Sequence, residues 1–280
     1  MSGARARRSR RRVDNLAALM VFVVMVFPVY WMVATALKPR ADVFLETPKI
    51  IPNPITFEHF ARVLSDGGFW GYARNSLLVV LVVVVLSMLT AFLAATALAR
   101  FRFRGRRAYV VLILAVQMVP FEALLIPLFV MLSRAGLVDR LAGVMLAYLA
   151  FVLPFTIWTL RGFVANVPVE LEEAALIDGC SRSQSFRLVL FPLIAPGLVA
   201  TSVFAFIQAW NEFILANVVL QSKGVQTLPV WLAGYQSSFK ETDWSGLMAA
   251  STLFAIPVIV FFILVQGRMQ SSTVAGGVKG

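Results

Sequence analysis

Long apolar runs separated by short polar segments dominate the chain. Crossing the hydrocarbon core of a bilayer takes about 20 helical residues, and each run has that length without containing a Lys or Arg. The stretch 79–86 is apolar at every position, which excludes the apolar/polar alternation of a membrane β-barrel strand. We therefore expect an all-α integral membrane protein with six transmembrane helices. The runs cover residues 16–37, 76–99, 108–133, 141–160, 193–220 and 245–267.

The composition is typical of a membrane protein and provides few side chains for metal binding or catalysis. Of the 280 residues, 60% are hydrophobic and only 14% are charged, whereas about a quarter are charged in soluble domains. A single cysteine, Cys180, excludes a disulfide within the chain and a clustered thiolate metal site. We therefore expect no metal and no cofactor on this chain.

The distribution of positive charge predicts the orientation. Of the 25 Lys and Arg residues, 16 lie before the first run, between the second and third, between the fourth and fifth, or after the sixth. Cytoplasmic segments carry the excess of positive charge, so both termini are expected in the cytoplasm. The 22-residue first run is too long for a signal peptide core of 7–15 residues, and we interpret it as an anchor. The basic residues that give the net charge of +11 flank the apolar runs, so nucleic-acid binding is not expected.

One cytoplasmic segment, 161–192, differs from the rest of the chain. Pro168 suits a first helical turn, acidic residues follow it, and Gly179 stands where a left-handed C-terminal cap would lie. The predicted helix has about ten residues, which is too short to be stable alone in water. We therefore expect it to dock on another surface. Its compact face consists of Leu171, Ala174, Ala175 and Asp178.

This segment resembles the EAA loop of membrane subunits in binding-protein-dependent ABC importers. The matching positions are Glu173, Ala174, Ala175, Gly179, Val189, Phe191 and Pro192, with phenylalanine at 191 where the family usually has leucine. Other stretches resemble the smaller permease of the maltose type, including Leu98 to Phe101, Trp210 to Phe213 and the glycine-rich C-terminus. The resemblance implies a type I importer fold in which a cytoplasmic coupling helix docks on a separate ATPase. It assigns this role to Leu171, Glu172, Glu173, Ala174, Ala175, Asp178, Gly179 and Pro192.

The same resemblance implies the partners and the location. They are a second permease subunit, an ABC ATPase dimer that binds ATP and magnesium, and an extracytoplasmic solute-binding protein that delivers a sugar or oligosaccharide. The chain would lie in the plasma membrane of a bacterium or archaeon. It contains no GxxxxGK[ST] loop, so it is not itself an ATPase of that kind. An ion-gradient-driven transporter is the alternative, but paired intramembrane charges and inverted repeats are not evident. An intramembrane enzyme is disfavoured because the runs contain no His or paired Asp.

Polar residues inside the runs are functional candidates by default. Gln208, Asn211 and Glu212 are expected on one helix face, with Gln208 able to hydrogen-bond Glu212. That face either lines the translocation path or clamps the partner permease. Glu122 is interpreted as structural, with its hydrogen-bonding group satisfied by backbone carbonyls that Pro120 and Pro127 free. It does not share a site with Gln117.

The remaining segments are assigned by position. The external loop 221–244 carries Trp231, Tyr235, Phe239 and Trp244, which suit an interfacial belt. The resemblance suggests that this loop reaches the solute-binding protein and that the tail touches the ATPase. The predicted segments are a basic N-terminus (1–15), an external loop (38–75), a permease core (76–267) that contains the EAA loop, and a flexible tail (268–280).

Overall fold

A computed structural model describes residues 2–235 and 242–276, with side chains described from 14 to 235 and from 242 to 267. Phe239 and residues 277–280 therefore lie outside the described residues. The described chain contains helices and no strand, which confirms the all-α prediction. The α-helices are α1 Ser2–Ala36, α2 Glu58–Ser65, α3 Phe69–Arg100, α4 Arg106–Gln117, α5 Leu125–Arg134, α6 Leu141–Asn166, α7 Val169–Ile177, α8 Arg182–Ser185, α9 Phe191–Asn211, α10 Ile214–Val219, α11 Leu228–Ala233 and α12 Trp244–Gly276.

Five helical segments of the described chain are long and apolar enough to cross a membrane. They are Asp14–Ala36, Phe69–Arg100, Leu141–Asn166, Arg182–Asn211 and Trp244–Gly267. A sixth candidate consists of the bent pair Arg106–Gln117 and Phe121–Arg134. These segments account for all six predicted runs, one of them in two halves.

The third predicted run, 108–133, is broken rather than continuous. Its two halves meet at 96°, and a 3₁₀ turn, Phe121–Leu124, opens the second half. Pro120 explains the break, because it has no N–H to donate and its ring would collide with the carbonyl group four residues earlier. Pro127 lies in the first turn of α5, where a missing N–H costs little.

The fifth predicted run also has different limits. The helix begins before the apolar run, at Arg182, and it passes through a π-helical turn, Phe186–Leu190, before α9. In this turn the Phe191 N–H donates to the Phe186 carbonyl. The wider turn directly precedes Pro192, whose ring cannot fit a regular α-helical ladder. At the other end α9 stops at Asn211, and a separate short helix, α10, follows.

The chain forms two compact units. The larger unit consists of residues 70–231 and 257–280, and within it α6 packs on α9 and α4. Small residues permit close helix approach in membranes, and a Cβ built at Gly197 would collide with the Phe163 ring. The core of this unit is made by Ala91, Phe92, Ala95, Leu98, Ile113, Ile157, Leu160, Val164, Leu190 and Ile194.

The smaller unit consists of residues 1–69 and 232–256. The apolar stretch of α1 has no buried residue in its most hydrophobic part, so lipid or another subunit must cover it. Directly after α1, Lys38 lies buried with its Nζ 4.2 Å from the centre of the Trp31 ring. Its carbonyl oxygen is 3.0 Å from Nε2 of the buried His59. Burial lowers the pKa of Lys38, and the nearby Asp42 partly offsets this effect.

Candidate functional site: a docked helix and a cavity

The C-terminus of α7 ends in a regular cap. The Cys180 N–H donates to the Ala175 carbonyl at 2.9 Å, and the Gly179 N–H donates to the Leu176 carbonyl at 3.1 Å. This pair of bonds is the Schellman motif. It requires a left-handed residue, and Gly179 has φ +90°. Open space surrounds the position of a Cβ at Gly179, so the backbone conformation alone calls for glycine there.

Side chains of the same unit hold α7 on its inner face. Arg100, the last residue of α3, places its Nε 2.6 Å from Oε1 of Glu172. The Nη2 of Arg100 also donates to the Val167 carbonyl at 2.9 Å. On the other side, the Ser185 hydroxyl donates to the Glu172 carbonyl at 3.3 Å. The α7 helix is therefore joined to the ends of two long helices, α3 and the α8–α9 segment.

The ion pair is well shielded from solvent. The Arg100 side chain is 11% exposed and the Glu172 side chain 20%. A charge removed from water needs a partner of good geometry, and the short contact supplies one. A cleft of about 490 Å³ lies alongside this pair, between the end of α3 and the inner edge of α7.

None of the described side chains covers the outer face of α7. Ile177 is 86% exposed, which is unusual for a large apolar side chain. Most of the predicted coupling residues are also exposed. Ala175, which the sequence analysis placed on the docking face, is buried instead. Ala175 lies three residues after Glu172, on the same face of α7, and α7 packs with α8 and the π-helical turn. The exposed members of the predicted set are Leu171, Glu173, Ala174, Asp178, Gly179 and Pro192.

Sequence reasoning missed Arg100 and Ser185 as parts of this site. Arg100 belongs to a stretch that resembles the family, but its partner is 72 residues away along the chain. Nothing in the local pattern of either segment indicates the pairing.

Glu212 has a different environment from the expected one. Because α9 ends at Asn211, Glu212 adopts an extended backbone conformation. Its carboxylate accepts the N–H groups of Leu215 at 2.7 Å and Ala216 at 3.1 Å, as well as the Tyr148 hydroxyl. A carboxylate at the first turn of a helix interacts favourably with the helix dipole. Glu212 therefore caps α10 and joins it to α6, and these bonds replace the expected one to Gln208.

The other two residues of this predicted set also separate. The Asn211 side chain is exposed and donates to the Ile207 carbonyl at 2.9 Å. Gln208 instead lines a cavity of about 300 Å³, where α6 and α9 face the break between α4 and α5. Gln117, which precedes that break, lines the same cavity. Glu122 is exposed and is not part of the lining.

The aromatic residues of the predicted external loop make local contacts where they are described. Trp231 stacks on Tyr72 with ring centroids 5.9 Å apart. In the smaller unit, burial and the nearby carboxylates of Asp66 and Asp243 raise the pKa of Tyr235 to about 12. Trp244 is 43% exposed.

The comparison with known families identifies the chain. Residues 87–273 match the family described as binding-protein-dependent transport system inner membrane component. The chain belongs to this family. It is therefore a multi-pass permease component of an ABC transporter in a bacterial plasma membrane, and no similarity supports an ion-gradient-driven transporter.

Curated relatives cover nearly the whole chain. The chain is 47% identical to the diacetylchitobiose uptake system permease protein DasC of Streptomyces coelicolor, over 95% of this chain and 96% of the relative. It is 35% identical to the trehalose transport system permease protein SugB of Mycobacterium tuberculosis, over 96% and 99%. It is 32% identical to the trehalose/maltose transport system permease protein MalG of Thermococcus litoralis, over 95% of each.

Solved structures share the fold. A bacterial ABC transporter that imports the acidic polysaccharide alginate contains a chain that superposes with a TM-score of 0.78 at 24% identity, covering 94% of this chain and 97% of that one. A second structure, in which the alginate transporter is in complex with an alginate pentasaccharide-bound periplasmic protein, gives 0.67 at 14% identity, over 92% and 93%. At these identities the similarity shows the fold alone.

Proposed function

We propose that this chain forms half of the translocation pathway of a carbohydrate importer and that α7 couples the pathway to a separate ATPase. The observation that carries the proposal is the two-sided character of α7. Its inner face is held by the Arg100–Glu172 ion pair, and its outer face presents an uncovered apolar side chain at Ile177. A helix of nine residues is marginal alone, so the inner contacts supply the rigidity that a coupling element needs.

The connections of α7 explain how a force would reach the membrane spans. Arg100 ends α3, and Ser185 lies in the segment that continues into α9. A displacement of α7 by an ATPase dimer would therefore act on two spanning helices at once. Shifting a two-state equilibrium, such as that between inward- and outward-open states, from 1:99 to 99:1 takes about 5.5 kcal/mol. A loosely attached helix would transmit only part of this free energy to the membrane spans.

The relatives indicate the substrate class and the other subunits. Their names refer to diacetylchitobiose, trehalose and maltose, and all three are disaccharides. We infer that this chain transports a sugar or short oligosaccharide. Its partners would be a second permease, an ATPase dimer carrying ATP and Mg²⁺, and an extracytoplasmic solute-binding protein. In this arrangement α7 and both termini are cytoplasmic.

A charge placed on the outer face of α7 tests the docking. Ile177→Glu introduces a carboxylate where an apolar contact with the ATPase is expected, so the ATPase should no longer co-purify with the permease. The matched control is Ile51→Glu, since Ile51 is 73% exposed in the predicted external loop, and this variant should retain the ATPase. Retention of the ATPase by Ile177→Glu at the wild-type level would contradict the proposal.

The single cysteine tests the orientation. Cys180 directly follows Gly179 at the end of α7 and is partly exposed. A membrane-impermeant maleimide should not label it in intact cells, and it should label it in inside-out vesicles stripped of the ATPase. Labelling of Cys180 in intact cells would place α7 outside and refute its role in coupling.

A further inference from the structure

The break between α4 and α5 is an unusual feature for a membrane span. Irregular backbone at membrane depth leaves polar groups that lipid cannot satisfy, so it occurs where it is buried in protein or lines a cavity. The break at Pro120 has such a cavity beside it, with a volume of about 300 Å³. Interrupted helices near the middle of a membrane are also a recurrent location of transported substrates.

The walls of this cavity combine two amides with aromatic rings. Gln117 and Gln208 supply the polar groups. The Gln117 amide makes one long contact, 3.4 Å, to the Ile113 carbonyl. No hydrogen bond of the Gln208 side chain is found in the described part of the chain. Both amides therefore retain donors and acceptors for a ligand, and an amide offers both kinds of group.

Two pairs of rings form the apolar surface. Phe121 lies 4.5 Å from Phe151, and Phe155 lies 3.8 Å from Phe204, measured between ring centroids. The face of an aromatic ring is electronegative, so it attracts the weakly positive C–H groups that a pyranose ring presents on its flat side. Hydroxyl groups at the rim of the same sugar would then reach the amides.

The uncharged lining of the cavity favours a neutral ligand. Among the described residues that line the cavity, none is acidic or basic. An ionised sugar, such as a uronic acid, would lose hydration there without gaining a counter-charge. The volume lies at the small end of the range of about 300–1,000 Å³ for ligand sites, which suits a single ring better than a chain of rings.

We propose that the cavity formed by Gln117, Gln208 and the phenylalanines at 121, 151, 155 and 204 is a binding subsite for one neutral sugar ring during translocation. This proposal rests on the proposed function, since it names the site at which a carbohydrate importer would contact its substrate on this chain. The subsite recognises hydroxyl groups through two amides, and it discriminates against carboxylated sugars.

The experiment uses the complete transporter in proteoliposomes, with its solute-binding protein at saturation. Uptake of radiolabelled diacetylchitobiose, trehalose and maltose is compared for wild type, Gln208→Met and Gln117→Met. Methionine keeps the length of glutamine and removes its hydrogen bonds. Gln221→Met is the matched control, because Gln221 is exposed and outside the cavity. One lost hydrogen bond corresponds to a roughly two- to tenfold change in rate.

The expected result is a decrease in uptake of two- to tenfold whose size differs between the sugars, with the control unchanged. Unequal losses indicate contact with the sugar, because the sugars present different hydroxyl groups. An equal loss for all sugars, or failure of both variants to assemble, would assign the amides a structural role and overturn the proposal. Wild-type rates in both variants would also overturn it. If wild-type transporter imports none of the sugars with ATP, the proposed function fails instead.

Discussion

The ion pair between Arg100 and Glu172 is the contact on which coupling is expected to depend most. We consider Arg100→Ala, Glu172→Ala and the double variant. Glu172→Ala removes the 2.6 Å contact, and Arg100→Ala also removes the 2.9 Å hydrogen bond to the Val167 carbonyl. Arg100→Ala should therefore be the more severe of the two single changes.

The magnitude follows from the exposure of the pair. Exposed ion pairs contribute about 0.2–1 kcal/mol, and loss of one partner from a fully buried pair costs about 3–5 kcal/mol. With side chains 11% and 20% exposed, this pair lies between these limits. Hydrogen bonds to charged groups contribute about 1.5–3 kcal/mol, and we expect a coupling energy in that range. About 1.4 kcal/mol is a factor of ten in an equilibrium constant. The ratio of α7 held against the end of α3 to α7 released from it should therefore fall about ten- to a hundredfold.

The assay is the amount of sugar transported per ATP hydrolysed in proteoliposomes. Each single variant should keep basal ATP hydrolysis and lose transport per ATP. In the double variant the two losses should not add, because both single changes break the same contact. Arg102→Ala is the matched control, since Arg102 is exposed two residues away. The reasoning would be refuted if the loss in the double variant equalled the sum of the two single losses to within about 0.5 kcal/mol. An equally large loss in the Arg102→Ala control would also refute it.

Three further predictions concern backbone, packing and pH. Gly179→Val should cost about 1–2 kcal/mol, because φ +90° disfavours a residue with a Cβ, and transport per ATP should fall while the protein still inserts. Gly197→Ala should cost about 1–3 kcal/mol through overpacking against a ring of α6, seen as a lower melting temperature in detergent. The Ser222 hydroxyl and N–H lower the pKa of Asp139. The stability from the Asp139 carboxylate is therefore present above its unfolded-state pKa of about 3.9 and is lost as the pH falls through the lowered pKa. The difference in melting temperature between Asp139→Asn and wild type should therefore shrink as the pH falls from 7 toward 2.

Controls for these variants come from the same chain. Gly162→Ala adds a methyl group in open space within α6, and alanine favours a helix over glycine, so this variant should not lower the melting temperature and should leave transport unchanged. Gly179→Asn should be milder than Gly179→Val, because asparagine tolerates the left-handed region. If Gly162→Ala lowers the melting temperature as much as Gly197→Ala does, the packing argument is wrong. If the difference in melting temperature between Asp139→Asn and wild type does not shrink at all between pH 7 and pH 2, the titration argument is wrong.

The number and type of membrane spans could be predicted from the sequence, and the reason is local. Each run is apolar enough to favour the bilayer over water without help from other segments, and a helix of its length spans the hydrocarbon core. The cap of α7 was also predictable, because Gly179 is a residue type that a left-handed position demands. The EAA segment indicated the family for a similar reason, since its motif residues lie close together along the chain.

The break in the third run was only partly visible in the sequence. Pro120 indicated a local disturbance, but proline can bend a span slightly or divide it. The 96° angle depends on what packs against the two halves. The end of α9 at Asn211 was not visible at all, because the apolar run continues through it, and so the role of Glu212 as a cap for α10 was missed.

Only the tertiary structure decided which distant residues meet. Arg100 and Glu172 are 72 residues apart, and Gln117 and Gln208 share a cavity although they lie in different runs. Hydrophobic periodicity reports the environment of one segment at a time. The pairing of faces between helices depends on how side chains of several segments fill space together. The sequence by itself therefore determined that the chain spans a membrane and which segment resembles a coupling helix, while packing between helices decided what holds that helix and where a sugar could be bound.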